Sequence, residues 1–432
     1  MTFGKLNEQE FKNFIIKHPK RTFFQTIEWG RLKANHGWQM ELLGIKKKNQ
    51  VIGAAMLLSK QTVLRKKIYY IPRGPLIDYH NMNLLVYFTE ELKTHVRQNG
   101  GFLLKIDPYF IYKERDNEGK LVNGGINNKL IINNLIVAGY IHLGFTKKLG
   151  ETIQPRWNVS LDLANKSTTE ILNAMDQPTR WTINKVRKIP FIVKELELEE
   201  IDKFKKIMTH TSQRRTFFDR SLTYYENMYK ELKKSEMIKI LIAELNVDKY
   251  LTFLDDDLKG QVIAKEEIVE KLNKIPQSKK YRNQQKVIDE ALALLTTKKN
   301  EAYDLKRRHG NNIPMAGAIF ILYGDEISYL FSGAYGEFMY FNAQYRIQWE
   351  IIKYGIEHKY TKYNFMGING NFSKEDELYG LYKFKKGFGG YVEELIGEFD
   401  LPVNKTYYWL YKFLYKLYKL WFKLIKKQSI NQ

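Results

Sequence analysis

Apolar positions along this chain fall into short continuous runs and four-residue spacings, and their order occurs twice. VIGAAMLLS (51–59) reads as a buried strand, and after a turn KIYYIPRGPLID (67–78) begins as another. NLLVYFTEELKTHV (83–96) then puts Leu84, Phe88, Leu92 and Val96 on one helical face, and FLLKIDP (102–108) closes the unit as a strand. PMAGAIFILYG (314–324), EISYLFSGAYG (326–336), AQYRIQWEIIKYGIEH (343–358) and KYNFMG (362–367) give the same order in the second half. An offset of 259 residues carries Ile68 to Ile327, Phe88 to Ile347, Glu91 to Glu350, Leu92 to Ile351 and Leu103 to the head of KYNFMG. One register serving strand, helix and strand predicts two related α/β domains of strand–strand–helix–strand type.

Two segments stand outside the repeat. Residues 246–310 lack strand signals, and Tyr281, Ile288, Leu295 and Ala302 recur every seven residues with Leu292 between them. With a break at Ile275–Pro276–Gln277–Ser278, this predicts an antiparallel coiled-coil arm inserted into the second domain. The tail NKTYYWLYKFLYKLYKLWFKLIKK (404–427) aligns Lys412, Lys416, Lys419, Lys423 and Lys426 along one helical stripe among Leu, Tyr, Phe and Trp. Such a helix can lie in a bilayer interface or pack on the first domain. The expected boundaries are 1–153 for the first domain, 154–245 with 311–400 for the second, 246–310 for the arm and 401–432 for the amphipathic tail.

Composition narrows the chemistry. Among 432 residues, 70 Lys and Arg face 48 Asp and Glu, a net charge of +22 that points to anionic partners. With no Cys there is no disulfide framework, thiol nucleophile or Cys-ligated zinc, and eight scattered His make no metal motif. No phosphate-binding glycine loop or nucleophile elbow occurs, so neither cofactor nor metal is expected. MTFGKLNEQEF lacks a signal-type core and no uncharged apolar run reaches spanning length, which predicts a cytoplasmic protein.

FFQTIEWGRLK (23–33), YIPRGPLIDY (70–79), LLKIDP (103–108), QPRWNVSLDL (154–163), YNFMGI (363–368) and GLYKFKKGFGGYVEELIGEFDL (380–401) together resemble the Fem/MurM (FemABX) family of aminoacyltransferases. These enzymes build peptidoglycan interpeptide bridges. The resemblance runs through nearly the whole chain in motif order. It implies two tandem acetyltransferase-like domains, an aminoacyl-tRNA donor, and a muropeptide amine as acceptor, usually on membrane-bound lipid II. The composition accords with it: the donor ester is already activated, tRNA binding is largely phosphate neutralisation, and the acceptor adds a diphosphate at a membrane surface.

The same resemblance assigns candidate residues. Phe384 and Lys385 match a Phe-Lys step whose lysine stabilises the tetrahedral intermediate. Lys33 matches an acceptor phosphate contact, with Trp29 and His36 near it in sequence. Arg220 and Tyr224 match an Arg-x-x-x-Tyr pair for the diphosphate-linked acceptor; Arg214 and Tyr335 are further contacts. From the residues themselves, Asp107 stands at a strand end, where it either orients or deprotonates the incoming amine or caps the turn before Pro108. Arg180, Lys185, Arg187 and Lys188 in RWTINKVRKIP form a candidate tRNA patch, and the arm is either a second tRNA contact or a dimerisation element. The tail favours peripheral contact with the inner membrane leaflet. Two other readings fit the residues alone: a basic tRNA- or membrane-binding module without catalysis, and a coenzyme A-dependent N-acyltransferase. The second wants a glycine turn before the helix that follows FMYFNAQY, which has none.

Overall fold

A computed structural model describes residues 1–215 and 217–428, with side chains of the last helix described as far as Leu417. Edge to edge, the first sheet runs Thr2–Lys5, Gln39–Lys47, Gln50–Gln61, Lys67–Ile71, Gly101–Ile106, Phe399–Pro402 and Ile141–His142. The second runs Ile111–Glu114, Tyr391–Leu395, Trp157–Asp162, Lys362–Gly367, Glu326–Ala334, Asn312–Tyr323, Ile238–Asn246 and Phe191–Glu195. Each contains the same unit. Three strands form an antiparallel meander, and a crossover helix, Met82–Gln98 or Ala343–Glu357, returns the chain to a parallel neighbour. The fold is α/β, with two tandem units of one topology.

The repeat register is visible in the cores. Phe88 and Leu92 are buried in the first unit, and Ile347 and Ile351, their counterparts, in the second. Two short strands are exchanged between halves. Phe399–Pro402 comes from the end of the chain yet pairs with Gly101–Ile106 in the first sheet, burying Phe399 and Leu401 there. Ile111–Glu114 leaves the first half to pair with Tyr391–Leu395 in the second.

A third core joins the units. Phe11, Phe24, Ile27 and Leu32 from the first half pack with Phe204, Ile207, Tyr225, Ile240 and Ile319 from the second. Burying each such side chain contributes roughly 1.5–3 kcal/mol, so the units are held as one packed body. Polar links reinforce it. Lys362 lies 2.8 Å from Glu393 and 3.1 Å from Glu326, and it donates to Tyr109, a first-half residue.

The inserted helices, Val247–Lys274 and Lys279–His309, lie either side of the Ile275–Ser278 turn. The ion pairs Lys306–Asp248, Lys299–Asp255 and Lys265–Asp289 converge on that turn, which makes the helices antiparallel. The last helix, Lys405–Gln428, begins against the first sheet through Tyr408, buried with Phe102 and Leu103. Of the predicted lysine stripe, Lys412 faces the body, where Asp400 lies 3.4 Å away, and Lys416 is exposed. Lys419, Lys423 and Lys426 lie outside the described side chains. Among the described residues no helix is long and apolar enough to cross a membrane.

Candidate active site

The short helix Ile27–Ala34 starts where Thr26 Oγ1 accepts from the Trp29 amide at 3.2 Å. Trp29 and Lys33 stand one turn apart on one face, and Lys33 Nζ sits 4.5 Å from the centre of the Trp29 ring. From the second half, Ser221 caps the helix Leu222–Lys233 and directs Tyr224 into the same space. Lys33 Nζ donates to Tyr224 Oη at 3.2 Å. The Arg220 guanidinium stacks 5.1 Å from the Tyr224 ring, and the His36 ring lies 4.7 Å from it on another side. Arg220 precedes the cap, so it reaches Tyr224 from the loop and not along a shared helical face.

Charge in this cluster is uncompensated. Among the described residues neither Lys33 nor Arg220 has a carboxylate partner, although 36 ion pairs form elsewhere. Burial first, and then the Arg220 charge, push the Lys33 ammonium down to about 8. Burial lowers His36 as well, and its Nε2 is buried without a hydrogen-bond partner. Close cations held without counter-charges attract an anion, and Arg beside Lys suits phosphate oxygens.

Lys385 comes from a different helix of the second half. It sits on the helix Tyr379–Lys386 and is 5% exposed, with Nζ donating to the carbonyls of Gly367 at 2.7 Å and Met366 at 3.2 Å. On this side Lys362–Gly367 pairs with Glu326–Ala334 only as far as Asn364 opposite Ser328, while Gly367 still pairs with Asn158 on the other edge. Beyond that point the parallel strands part, and Met366 takes φ +60°, an uncommon conformation for a side chain other than glycine. Burial alone pushes the Lys385 ammonium down to about 7. Phe384, its neighbour, packs edge-on against Tyr345 and Phe388 and fixes the helix.

A cavity of about 370 Å³ joins the two groups. Trp29, Lys33, Arg220, Tyr224, Gly367 and Lys385 all line it, with Tyr329 and Ser332 on the parted strand. It shares Lys33, Arg220 and Gln154 with a larger cleft of about 900 Å³, where Lys105, Glu398 and Asp400 are further lining residues.

Other expected residues lie elsewhere. Asp107 is buried, accepts from Tyr70 Oη at 2.9 Å and the Arg73 amide at 2.7 Å, and lies 3.5 Å from the Arg73 guanidinium. Burial raises its carboxyl to about 7. It borders a separate narrow crevice with Arg156 and Glu398, and does not line the Lys385 cavity. Arg214 and Tyr335 meet around Gly336 beside His210, also outside that cavity. The helix Gln177–Lys188 carries Arg180, Lys185, Arg187 and Lys188 and adjoins the Lys385 helix, since the Asp176 amide donates to Gly387 O at 2.9 Å. A Cβ on Gly387 would collide with Thr179, so glycine permits this approach. Sequence reasoning missed Met366, Gln154, Tyr329 and Ser332. Met366, Tyr329 and Ser332 line the cavity beyond the point where their two strands stop pairing, Gln154 reaches it from the segment before Trp157–Asp162, and no local spacing marks either.

Known proteins resemble the chain over nearly its whole length. The FemAB family model matches residues 6–416. The aminoacyltransferase FemA of Staphylococcus epidermidis is 34% identical over 97% of this chain and 100% of its own length. FemA of Staphylococcus aureus is 32% identical over 96% and 99%. A crystal structure of FemX superposes with a TM-score of 0.77 at 27% identity, covering 95% of this chain and 99% of the other. Nearly every element that frames the two-sided cavity lies within these matches: the chain belongs to the FemAB family and is an aminoacyltransferase.

Proposed function

We propose that this protein transfers an amino acid from aminoacyl-tRNA to a stem-peptide amine of lipid II, at the cytoplasmic face of the membrane, in the building of peptidoglycan interpeptide bridges. The observation that carries the reading is Lys385: a buried ammonium with carbonyl partners and no carboxylate, sharing a cavity with the cationic Lys33–Arg220–Tyr224 cluster.

An aminoacyl ester needs no further activation, so the protein has three tasks: to align the amine, to stabilise the oxyanion and to guide one proton. The neutral amine nitrogen bonds to the ester carbonyl carbon and negative charge collects on the carbonyl oxygen. The C–O bond to the ribose then breaks, and the proton shed by the amine ends on the ribose oxygen. Lys385 exchanges one neutral carbonyl partner for the oxyanion, an interaction stronger in the transition state than before it. Lys33 and Arg220 hold the acceptor's diphosphate, with Trp29, His36 and Tyr224 as the wall behind it. Arg214 and Tyr335 hold a more distant part of the acceptor. Asp107 braces the Arg73 turn through the Arg73 amide and thereby acts on the cleft without taking the proton. The basic helix Gln177–Lys188 beside Lys385, and the arm, are the proposed tRNA contacts. No cofactor enters this scheme.

The test is reconstitution. Purified protein, lipid II and tRNA charged with a panel of labelled amino acids should yield labelled lipid. Ribonuclease treatment of the charged tRNA should abolish it. Label accepted from acyl-coenzyme A, or product formed after ribonuclease treatment, contradicts the reading.

A further inference from the structure

The last helix is held by one face and leaves another bare. Tyr408 is buried, its hydroxyl donates to Asp400 at 3.1 Å, and Tyr411 packs 5.5 Å from the Phe102 ring. At 100° per residue, positions 408, 411, 412 and 415 share one arc. Trp409, Leu410, Phe413, Leu414 and Leu417 occupy the opposite arc and are all exposed, Trp409 by 62% and Phe413 by 59%. A contiguous apolar face of this kind on a soluble body marks an interaction surface.

A second apolar element stands at the same cleft. Phe217 and Phe218 are both exposed, Phe218 by 84%, and only Asp219 separates them from Arg220. Phe218 lines the larger cleft, and so do Tyr411, Lys412 and Tyr415 of the helix. The cleft that holds Lys33 and Arg220 is therefore bordered by two elements that present aromatic side chains to solvent.

We infer that the outer face of the last helix, together with Phe217 and Phe218, seats the protein on an anionic bilayer with the cleft beside the lipid headgroups. The inference rests on the lipid-linked acceptor proposed above. Aromatic and leucine side chains flanked by lysine match an interfacial helix, whose apolar face enters the headgroup boundary while cations meet anionic lipid. A second copy of this chain is a poorer occupant. It would bring Lys416 and a body of +22 against their own likeness, whereas an anionic surface complements both. Nucleic acid is also a poorer occupant, since phosphates seek the cations and gain nothing from a Trp–Phe–Leu face.

Full-length protein, without lipid II, is floated with phosphatidylcholine vesicles that contain or lack phosphatidylglycerol. Wild type should co-float with the anionic vesicles, and Trp409→Ser/Phe413→Ser should do so about tenfold less. The double variant should keep the wild-type circular dichroism spectrum and its transfer rate onto a water-soluble muropeptide acceptor. Wild type that stays unbound, or a variant that floats equally, overturns the inference. So does a wild-type dimer that the variant turns into monomer, or a variant that loses tRNA binding while neither protein binds vesicles. Vesicle binding that depends on Trp409 and Phe413, with no transfer onto any acceptor, keeps the bilayer seat and defeats the proposed reaction instead.

Discussion

Lys385 Nζ donates to the Gly367 carbonyl at 2.7 Å, at the end of a strand that has ceased to pair with Glu326–Ala334. The bond holds a cation where no carboxylate balances it. Such a group costs folding energy, and its place beside the Lys33 cluster gives that cost a use.

The first prediction concerns stability. In the folded chain the Lys385 ammonium sits at about 7, well below the 10.5 of an exposed lysine. Between these values the unfolded chain binds more protons, so stability should rise with pH from about 7 towards 10.5 on this account. Lys385→Met should remove that rise and stabilise the protein by about 1–4 kcal/mol at neutral pH. Urea denaturation of both proteins at several pH values checks it; a destabilised variant contradicts it.

The second concerns activity against pH. The proposed oxyanion contact uses the charged form of Lys385, so kcat/KM should fall as pH rises through about 7, the value in the free enzyme. Lys385→Arg, charged throughout, should lack this falling limb even where its overall rate is lower. An identical limb in the variant assigns it to another group.

Acceptor binding supplies the third. Arg220→Ala should weaken binding of a diphosphate-linked acceptor by about 1.5–3 kcal/mol, measured by calorimetry. In wild type, affinity should decline above about pH 8, where Lys33 loses its proton. An anion bound beside it counters the Arg220 repulsion, so binding near pH 8 should take up protons. Heats of binding independent of buffer ionisation enthalpy contradict this.

How far the sequence alone reaches differs between fold and site. The offset of 259 residues between halves is legible because core positions of matching helices must stay apolar, as Phe88 and Leu92 do with Ile347 and Ile351. The arm is legible from seven-residue spacing: Ala302 is buried, and Ile288, Leu292 and Leu295 are partly so. The exchanged strands were not legible, since four residues such as Phe399–Pro402 carry no period, and topology alone chooses their partner. At the site, a motif gives residue types but not distance. Lys33 and Tyr224 are 191 positions apart and touch only because the shared core fixes two helices. Arg214 sits near Arg220 in sequence, yet its helix places it beside Gly336 and His210 instead.

The fourth prediction links the tail to the first sheet. Asp400 is fully buried and accepts from Lys105 at 2.5 Å, Tyr408 at 3.1 Å and Lys412 at 3.4 Å. Asp400→Asn leaves the largely buried Lys105 with a weaker partner and should cost about 3 kcal/mol. Hydrogen exchange should accelerate in residues 405–417 more than in the second sheet. Uniform acceleration across both sheets contradicts a specific anchor.

The most direct measurement is single-turnover transfer from charged tRNA to lipid II by wild type and Lys385→Met, with acceptor Kd determined in parallel. Loss of one oxyanion-stabilising donor should lower the transfer rate about 10²–10³-fold and leave Kd within about a factor of two. A variant that transfers at close to the wild-type rate, or that loses affinity as much as rate, contradicts the role assigned to Lys385.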